Sequence, residues 1–290
     1  MMIFDKVLNL SNGVEIPQLA FGTWKIPDNE VSAAVENALA IGYRHIDTAQ
    51  AYHNEAGVGE GIRKSGVKRE QIFVNSKVEA EIKDYANAKK SIDETLLRMK
   101  LDYLDMMIIH NPQPWIEVNQ SDDRHFEGNL EAWRALEEAM KAGKLRAIGV
   151  SSFQPEDLNN LIANSDVKPM VNQILCHIGA TPKPLIDFCQ QNGIVVESFS
   201  PVAHGEALNN EAIKKMAAKY QVSVAQLCIR YDWQLNTVVL PKSTNPVHMK
   251  ENSELNFVIN DEDMKTLEAV KTFDYGSSSH FPVFGGKREK

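Results

Sequence analysis

Gly42-Tyr43-Arg44-His45-Ile46-Asp47-Thr48-Ala49-Gln50-Ala51-Tyr52-His53-Asn54-Glu55 is the stretch from which the rest of the chain can be read. Residues 44–47 read as a short strand leaving an apolar interior, with Asp47 at its exit. A loop then carries Tyr52, and Asn54-Glu55 starts a helix. One such pair is ordinarily structural: the acid caps the loop and the ring packs. The unit matters because it recurs.

Upstream, the apolar runs 6–10 and 14–16 flank Ser11-Asn12-Gly13, a strong hairpin signal. A first buried strand is expected over 18–21, running into Gly22-Thr23-Trp24, and a helix over 28–40 with Asp28 as its N-cap. Downstream of the opening stretch, strands are expected at 72–77, 103–110, 145–151, 170–173, 194–198 and 238–240. Helices are expected between them at 55–64, 83–99, 130–141, 155–163, 184–191, 210–220 and 222–235. Two more follow at 247–252 and 261–270, before an irregular tail over 271–290. No composition shift marks a domain boundary, so residues 1–290 are expected to form one domain. Eight strand–helix units after a hairpin imply a closed (β/α)₈ barrel. A doubly wound open sheet is the alternative. Its glycine-rich fingerprint is missing, because Gly57-Val58-Gly59-Glu60-Gly61 has the wrong spacing and lies in a helix pattern.

The bulk numbers narrow the function. At 43% apolar and 24% charged, the 290 residues resemble an ordinary globular chain. A net charge of -8 argues against nucleic-acid or anionic-membrane partners. Cys176, Cys189 and Cys228 have no metal or disulfide spacing, which suggests a reducing cytoplasm. The first residues carry an acid and no long apolar run, so no signal peptide is expected.

In a barrel of this kind, chemistry sits at the carboxyl ends of the strands. Those ends hold Asp47, Lys77, His110, Ser151-Ser152, Asn172-Gln173, Ser198-Phe199 and Lys242-Ser243. So many polar groups at one rim are poorly explained as caps. Asp47, Tyr52, Lys77 and His110 form the ionisable set. They are too few in carboxylates and imidazoles for a metal site. Lys77 alone suggests a Schiff-base aldolase, but that needs a depressed lysine pKa, and Asp47 would favour the charged form. A Lys77–Asp47 pair beside Tyr52 is better suited to lowering the tyrosine pKa for proton donation to a carbonyl, with His110 as a second donor. Pro241-Lys242-Ser243-Thr244-Asn245-Pro246 lies at the last strand–helix junction, a common phosphate position.

These motifs resemble the aldo-keto reductases over nearly the whole length. The resemblance rests on residues 42–55, on Leu101-Asp102-Tyr103-Leu104-Asp105 through His110-Asn111-Pro112, and on Ala147-Ile148-Gly149-Val150-Ser151-Ser152-Phe153. Val171-Asn172-Gln173 and Pro241-Lys242-Ser243 complete it. Small bacterial members of the diketogluconate-reductase type look most similar. The resemblance implies NADPH-dependent reduction of aldehydes and ketones, with NADH also used. Tyr52 would be the proton donor, tuned by Lys77 and Asp47, and His110 would orient the carbonyl. Ser151, Ser152 and Gln173 would hold the nicotinamide carboxamide, and Phe199 would stack on the ring. Gly22, Thr23 and Trp24 would border nicotinamide and substrate, and the stretch from Ser200 to Gly205 would approach the pyrophosphate. Lys242, Ser243 and Asn245 would cradle the 2′-phosphate, and Glu251 and Asn252 would meet the adenine.

The chain departs from the family pattern in three places. Ser152 replaces a usual asparagine. His248 stands where an arginine often packs on the adenine, so a reduced preference for NADPH over NADH is expected. Glu79 and Asn111 stand where aromatic residues often line the pocket, so a more polar pocket is expected. Trp24, Trp115, Phe281 and Phe284 are candidates for its walls, whereas His45, His53, His125 and His177 read as structural or exposed. The family also contains non-catalytic sensor proteins, the runner-up function. A monomer acting on a small-molecule carbonyl is expected.

Overall fold

The computed structural model describes residues 3–287. The Asn12-Gly13 signal forms the expected hairpin: β1 (Val7–Asn9) and β2 (Glu15–Pro17) pair antiparallel, with Leu8 opposite Ile16. Gly13 closes the turn at φ +85°, a left-handed backbone that costs glycine no Cβ clash. Leu10 and Ile16 pack with Phe73, Met106 and Val171 at the amino-terminal ends of barrel strands, so the hairpin covers that mouth.

Eight parallel strands follow. They are β3 (Phe21–Gly22), β4 (His45–Asp47), β5 (Phe73–Val78), β6 (Leu104–Ile109), β7 (Leu145–Ser151), β8 (Val171–Leu175), β9 (Val195–Phe199) and β10 (Val238–Leu240). Neighbours in sequence are neighbours in the sheet. The first strand also meets the last: the Ala20 N–H donates to the Val239 carbonyl at 2.9 Å and the Gly22 N–H to that of Pro241 at 3.0 Å. These bonds close the (β/α)₈ barrel and remove the open-sheet alternative.

Helices cover the outside: α1 (Asp28–Ile41), α2 (Glu55–Lys64), α3 (Tyr85–Met99), α4 (Phe126–Lys141), α5 (Pro155–Asn164) and α6 (Lys183–Gln191). Then come α7 (Glu211–Tyr220), α8 (Val224–Gln234), α9 (Pro246–Glu251) and α10 (Asp261–Glu268). Strands covered on both faces bury every side chain, as in β5 and β6. Along β5 the faces alternate. Val74 and Val78 join the helix–strand core, while Phe73 turns inward and Lys77 meets Asp47 of the neighbouring strand. No helix among the described residues is long and apolar enough to cross a membrane.

Three local expectations change. Pro27, not Asp28, is the N-cap of α1; Asp28 sits in the first turn and its Oδ1 accepts the Gly57 N–H at 2.8 Å. The first barrel strand lies at Phe21–Gly22, with only an isolated bridge at Leu19. Helix α4 starts a turn earlier than residue 130, because Phe126 is the one apolar residue of its first turn and Gly128 interrupts it, so no apolar period shows there.

Candidate active site

Strands β4 and β5 are parallel neighbours with Asp47 opposite Asn75. Their register carries Lys77 next to the Asp47 carboxylate. Lys77 Nζ donates to Asp47 Oδ1 at 2.8 Å, to Oδ2 at 2.7 Å and to the Thr48 carbonyl at 2.8 Å. It also donates to Tyr52 Oη at 3.3 Å. Burial opposes charge on Lys77, but Asp47 and Tyr52 more than offset it, so its pKa is raised above the usual lysine value. A raised lysine does not suit an imine-forming amine, which disfavours the aldolase alternative.

Tyr52 stands in a one-turn 3₁₀ segment (Gln50–Tyr52) between β4 and α2. Gln50 anchors that segment to α3, its amide donating to the Ser91 carbonyl and to Thr95 Oγ1. Tyr52 accepts from Lys77, so its own hydroxyl hydrogen is left for another acceptor. The sequence expectation of a lowered tyrosine pKa is corrected here. Burial raises it, and the opposing pull of Lys77 does not offset burial. Tyr52 therefore stays a neutral donor at neutral pH. The His110 ring stands edge-on to Tyr52, centroids 5.6 Å apart, and to Trp115 at 5.1 Å.

These groups open on a cavity of about 420 Å³ at the carboxyl ends of the strands. Asp47, Tyr52, His110, Gly22 and Trp24 line it, with Trp115 on the wall. On the facing side lie Ser151, Ser152, Gln173, Phe199, Ser200 and Lys242. Gln173 reaches into the charge cluster: its Nε2 donates to Asp47 Oδ1 at 2.9 Å and to Glu197 Oε2 at 2.8 Å. Ser152 holds φ +62° and donates its N–H to the Gln173 carbonyl at 2.8 Å.

Other sequence candidates lie elsewhere. Thr23 is fully buried and its Oγ1 donates to the Asp47 carbonyl at 3.0 Å, so it braces the site from outside the cavity. Asn172 and Ser198 point out of the barrel, to the Phe153 carbonyl and to Thr237 Oγ1, because side chains alternate along a strand. Asn111 is not on the cavity wall: its Oδ1 accepts the Gln113 N–H at 3.0 Å in a local turn. Glu79 is not there either; the chain turns at this residue, its N–H held by Gln50 and its carbonyl accepting from Ile82. The expected polar pocket is thus corrected to one walled by aromatic rings. Of the β10–α9 group only Lys242 lines the cavity. Asn245 caps α9, accepting the Val247 N–H, and Ser243 bonds to Asn245. His248 and Glu251 are exposed on α9, and Asn252 is buried at its end.

Sequence reasoning overlooked Glu197, fully buried one layer below the rim beside His45, itself expected to be structural or exposed, and Lys25 and Val283 on the cavity wall. An acid in an apolar strand, Val195-Val196-Glu197, was the available signal for Glu197. The tail lies over the rim. Phe281 stands edge-on to Trp24 at 5.2 Å, and Phe284 to His204 at 5.3 Å. Asn119, from the β6–α4 loop, donates to the Pro282 and Gly286 carbonyls at 2.9 Å each.

Residues 18–272 match the model of the aldo/keto reductase family. The chain is 41% identical to glyoxal reductase of Bacillus subtilis over 91% of its own length and 92% of that protein. An aldo/keto reductase from Brucella melitensis superposes with a TM-score of 0.84 at 36% identity, over 91% of this chain and 98% of the other. A Bombyx mori aldo-keto reductase in complex with NADP superposes with a TM-score of 0.83 at 29% identity, over 96% and 98% of the two chains. A match across nearly the whole barrel, in sequence and in structure, means that the chain belongs to the aldo/keto reductase family.

Proposed function

We propose that the rim of this barrel carries out NADPH-dependent reduction of small aldehydes and ketones, with Tyr52 as the proton donor. One observation carries this assignment. Lys77 is bonded at once to the Asp47 carboxylate and to Tyr52 Oη, and Tyr52 lines the cavity beside His110.

The donor set around the cavity suits a nicotinamide nucleotide. Ser151, Ser152 and Gln173 would hold the carboxamide, Phe199 would face the ring, and Lys242 would meet the 2′-phosphate. Gly22 and Trp24 would border the nicotinamide, and Ser200 would stand near the pyrophosphate. Ser243, Asn245, His248, Glu251 and Asn252 would form the adenosine end outside the cavity. With no arginine at 248, Lys242 is the principal charge favouring NADPH, and NADH is also accepted. When bound, the reduced nicotinamide supplies hydride to the carbonyl carbon.

The chain's own groups manage the oxygen. Tyr52 O–H, with no acceptor among the described residues, and His110 point donors at the developing oxyanion. Tyr52 gives up its proton, and the Lys77 ammonium stabilises the phenolate left behind. Asp47 keeps Lys77 charged and aimed. Trp24, Trp115 and Phe281 wall the cavity and exclude water. Glyoxal, named for the 41%-identical relative, is the first substrate to try. The same assignment takes residues 1–290 as a single-domain monomer of the cytoplasm acting without nucleic acid or membrane, consistent with its net charge of -8.

A carbonyl panel with NADPH and NADH tests the activity, and Tyr52→Phe tests the role. Turnover should fall by about 10²–10⁴-fold with NADPH binding kept. Turnover retained in Tyr52→Phe would remove the tyrosine from the chemistry. Nucleotide binding without turnover on any carbonyl would identify the sensor alternative instead.

A further inference from the structure

Below the rim a line of buried polar groups runs down the barrel interior, and the carbonyl chemistry uses none of its lower members. Glu197 lies two residues before Phe199 on β9, so it faces the same interior one layer deeper. Its register partner on β8 is Gln173. His45 lies beside it on β4. Glu197 and His45 are both fully buried.

The hydrogen positions along this line follow from its two ends. His45 Nδ1 is 3.3 Å from the Pro17 carbonyl, which can only accept, so Nδ1 carries the hydrogen. In the neutral imidazole, His45 Nε2 then presents a bare lone pair. It faces Glu197 Oε1 at 3.6 Å, and both atoms are buried with no hydrogen-bond partner among the described residues. At 3.6 Å the two atoms are beyond hydrogen-bonding distance, but a proton on Glu197 Oε1 sets a donor toward the lone pair of a neutral His45, whereas a carboxylate facing that neutral imidazole would oppose two acceptors. Burial, with Asp47 nearby, pushes the Glu197 carboxyl up to about 8, and burial holds the His45 imidazole down to about 4, in accord with a neutral pair. With the proton on Oε1, Oε2 is the carbonyl oxygen. It accepts from Gln173 Nε2 at 2.8 Å.

Gln173 Nε2 thus spends both its hydrogens, one on Glu197 Oε2 and one on Asp47 Oδ1 at 2.9 Å. Asp47 is an ion-paired acceptor, so the amide cannot turn its oxygen that way. We propose that Glu197 is a positioning residue for the cofactor: with Asp47 it takes both amide hydrogens of Gln173 and commits Gln173 Oε1 to the cavity as an acceptor for the carboxamide NH₂ of a nicotinamide. The idea rests on the nicotinamide placement proposed above and goes beyond it in assigning the orientation of Gln173 to a residue that never touches the cofactor. The effect of Glu197 belongs to the nicotinamide end of the nucleotide and is absent from the adenosine end.

Equilibrium binding separates the two ends. NADPH carries both, and 2′,5′-ADP carries the phosphorylated adenosine without a nicotinamide. Glu197→Met keeps the volume and removes the acceptor. It should weaken NADPH by about tenfold, the loss of one buried hydrogen bond, and leave 2′,5′-ADP within roughly twofold. Glu197→Gln can still accept from Gln173 through its own Oε1 and donate to His45 Nε2, and it should bind NADPH like the parent protein. If Glu197→Met fails to fold, Glu197→Thr carries the same comparison, since a threonine hydroxyl falls short of Gln173. Unchanged NADPH binding in the acceptor-less variant would overturn the proposal, as would equal weakening of both nucleotides. Failure of the parent protein itself to bind NADPH would instead remove the function on which the proposal stands.

Discussion

At Glu197 the surroundings reverse the usual state of a carboxyl. Its pKa rises from the ordinary 4.5 to about 8, because burial disfavours the charge and Asp47 adds to the effect. Between those values the folded protein holds a proton that the unfolded chain releases. Stability therefore falls as pH rises through that window. Glu197→Gln removes the titration. Its thermal and urea stability should exceed the parent's by a margin that grows from pH 5 to pH 8, by on the order of 2–4 kcal/mol. A margin independent of pH would mean that Glu197 is already ionised when folded. His45 acts in the opposite sense: its pKa is depressed to about 4, so its own contribution is lost as pH falls below the usual imidazole value. The cluster of Asp47, Lys77 and His110, with Tyr52 in the loop after β4, was legible at this scale because ionisable types recur at the ends of several apolar strands. The approach of Glu197 to His45 was not, because a sequence gives no cross-barrel distance.

Helix α2 shows what a glycine motif can mean at the scale of an element. Gly57, Gly59 and Gly61 have no nucleotide-binding spacing, and the structure gives them another task. A Cβ on Gly57 would lie 2.3 Å from the Asp28 carbonyl oxygen, and one on Gly61 2.5 Å from that of Ser32, both in α1. A Cβ on Gly59 would lie 2.1 Å from the Met99 carbonyl oxygen at the end of α3. The three glycines let α2 settle between its two neighbours at backbone contact. Gly59→Ala meets backbone, which cannot rotate aside. It should cost about 3 kcal/mol in urea unfolding, while Glu60→Ala, exposed on the same helix, should change stability by roughly 0.5 kcal/mol or less. Equal effects of the two would show that the helix shifts freely. Helix and strand positions elsewhere were legible because their apolar periods are long. The start of α4 was not, since a first turn with one apolar residue and a glycine looks like loop.

Across the molecule, the site is assembled from both ends of the chain. Trp24 follows the first barrel strand, Trp115 lies in the β6–α4 loop, and Phe281 belongs to the tail. The tail is held at the rim by ring contacts with Trp24 and His204 and by the Asn119 bonds. Lys25 Nζ lies 4.3 Å from the Phe281 ring centroid, a further cation–π contact. Phe281→Ala should open this wall. KM for an aromatic aldehyde should rise roughly tenfold with kcat within about threefold, because binding area is lost and the proton donors are untouched. A fall in kcat of the same size would instead place the tail in the chemical step.

The sequence by itself determined the barrel, its hairpin and the ionisable set at its rim. Period, turn chemistry and strand-end residue type are local properties, and eight repeats leave few ways to arrange them. Only the tertiary structure decided which of those side chains face the cavity. It turned Asn111 and Glu79 away through a local turn and a backbone anchor, and it raised the Tyr52 pKa where pairing with Lys77 alone would have lowered it. It also brought Glu197 under Gln173 and the tail over Trp24. Those outcomes depend on burial and on distances between residues far apart in the chain, which closure of the barrel sets.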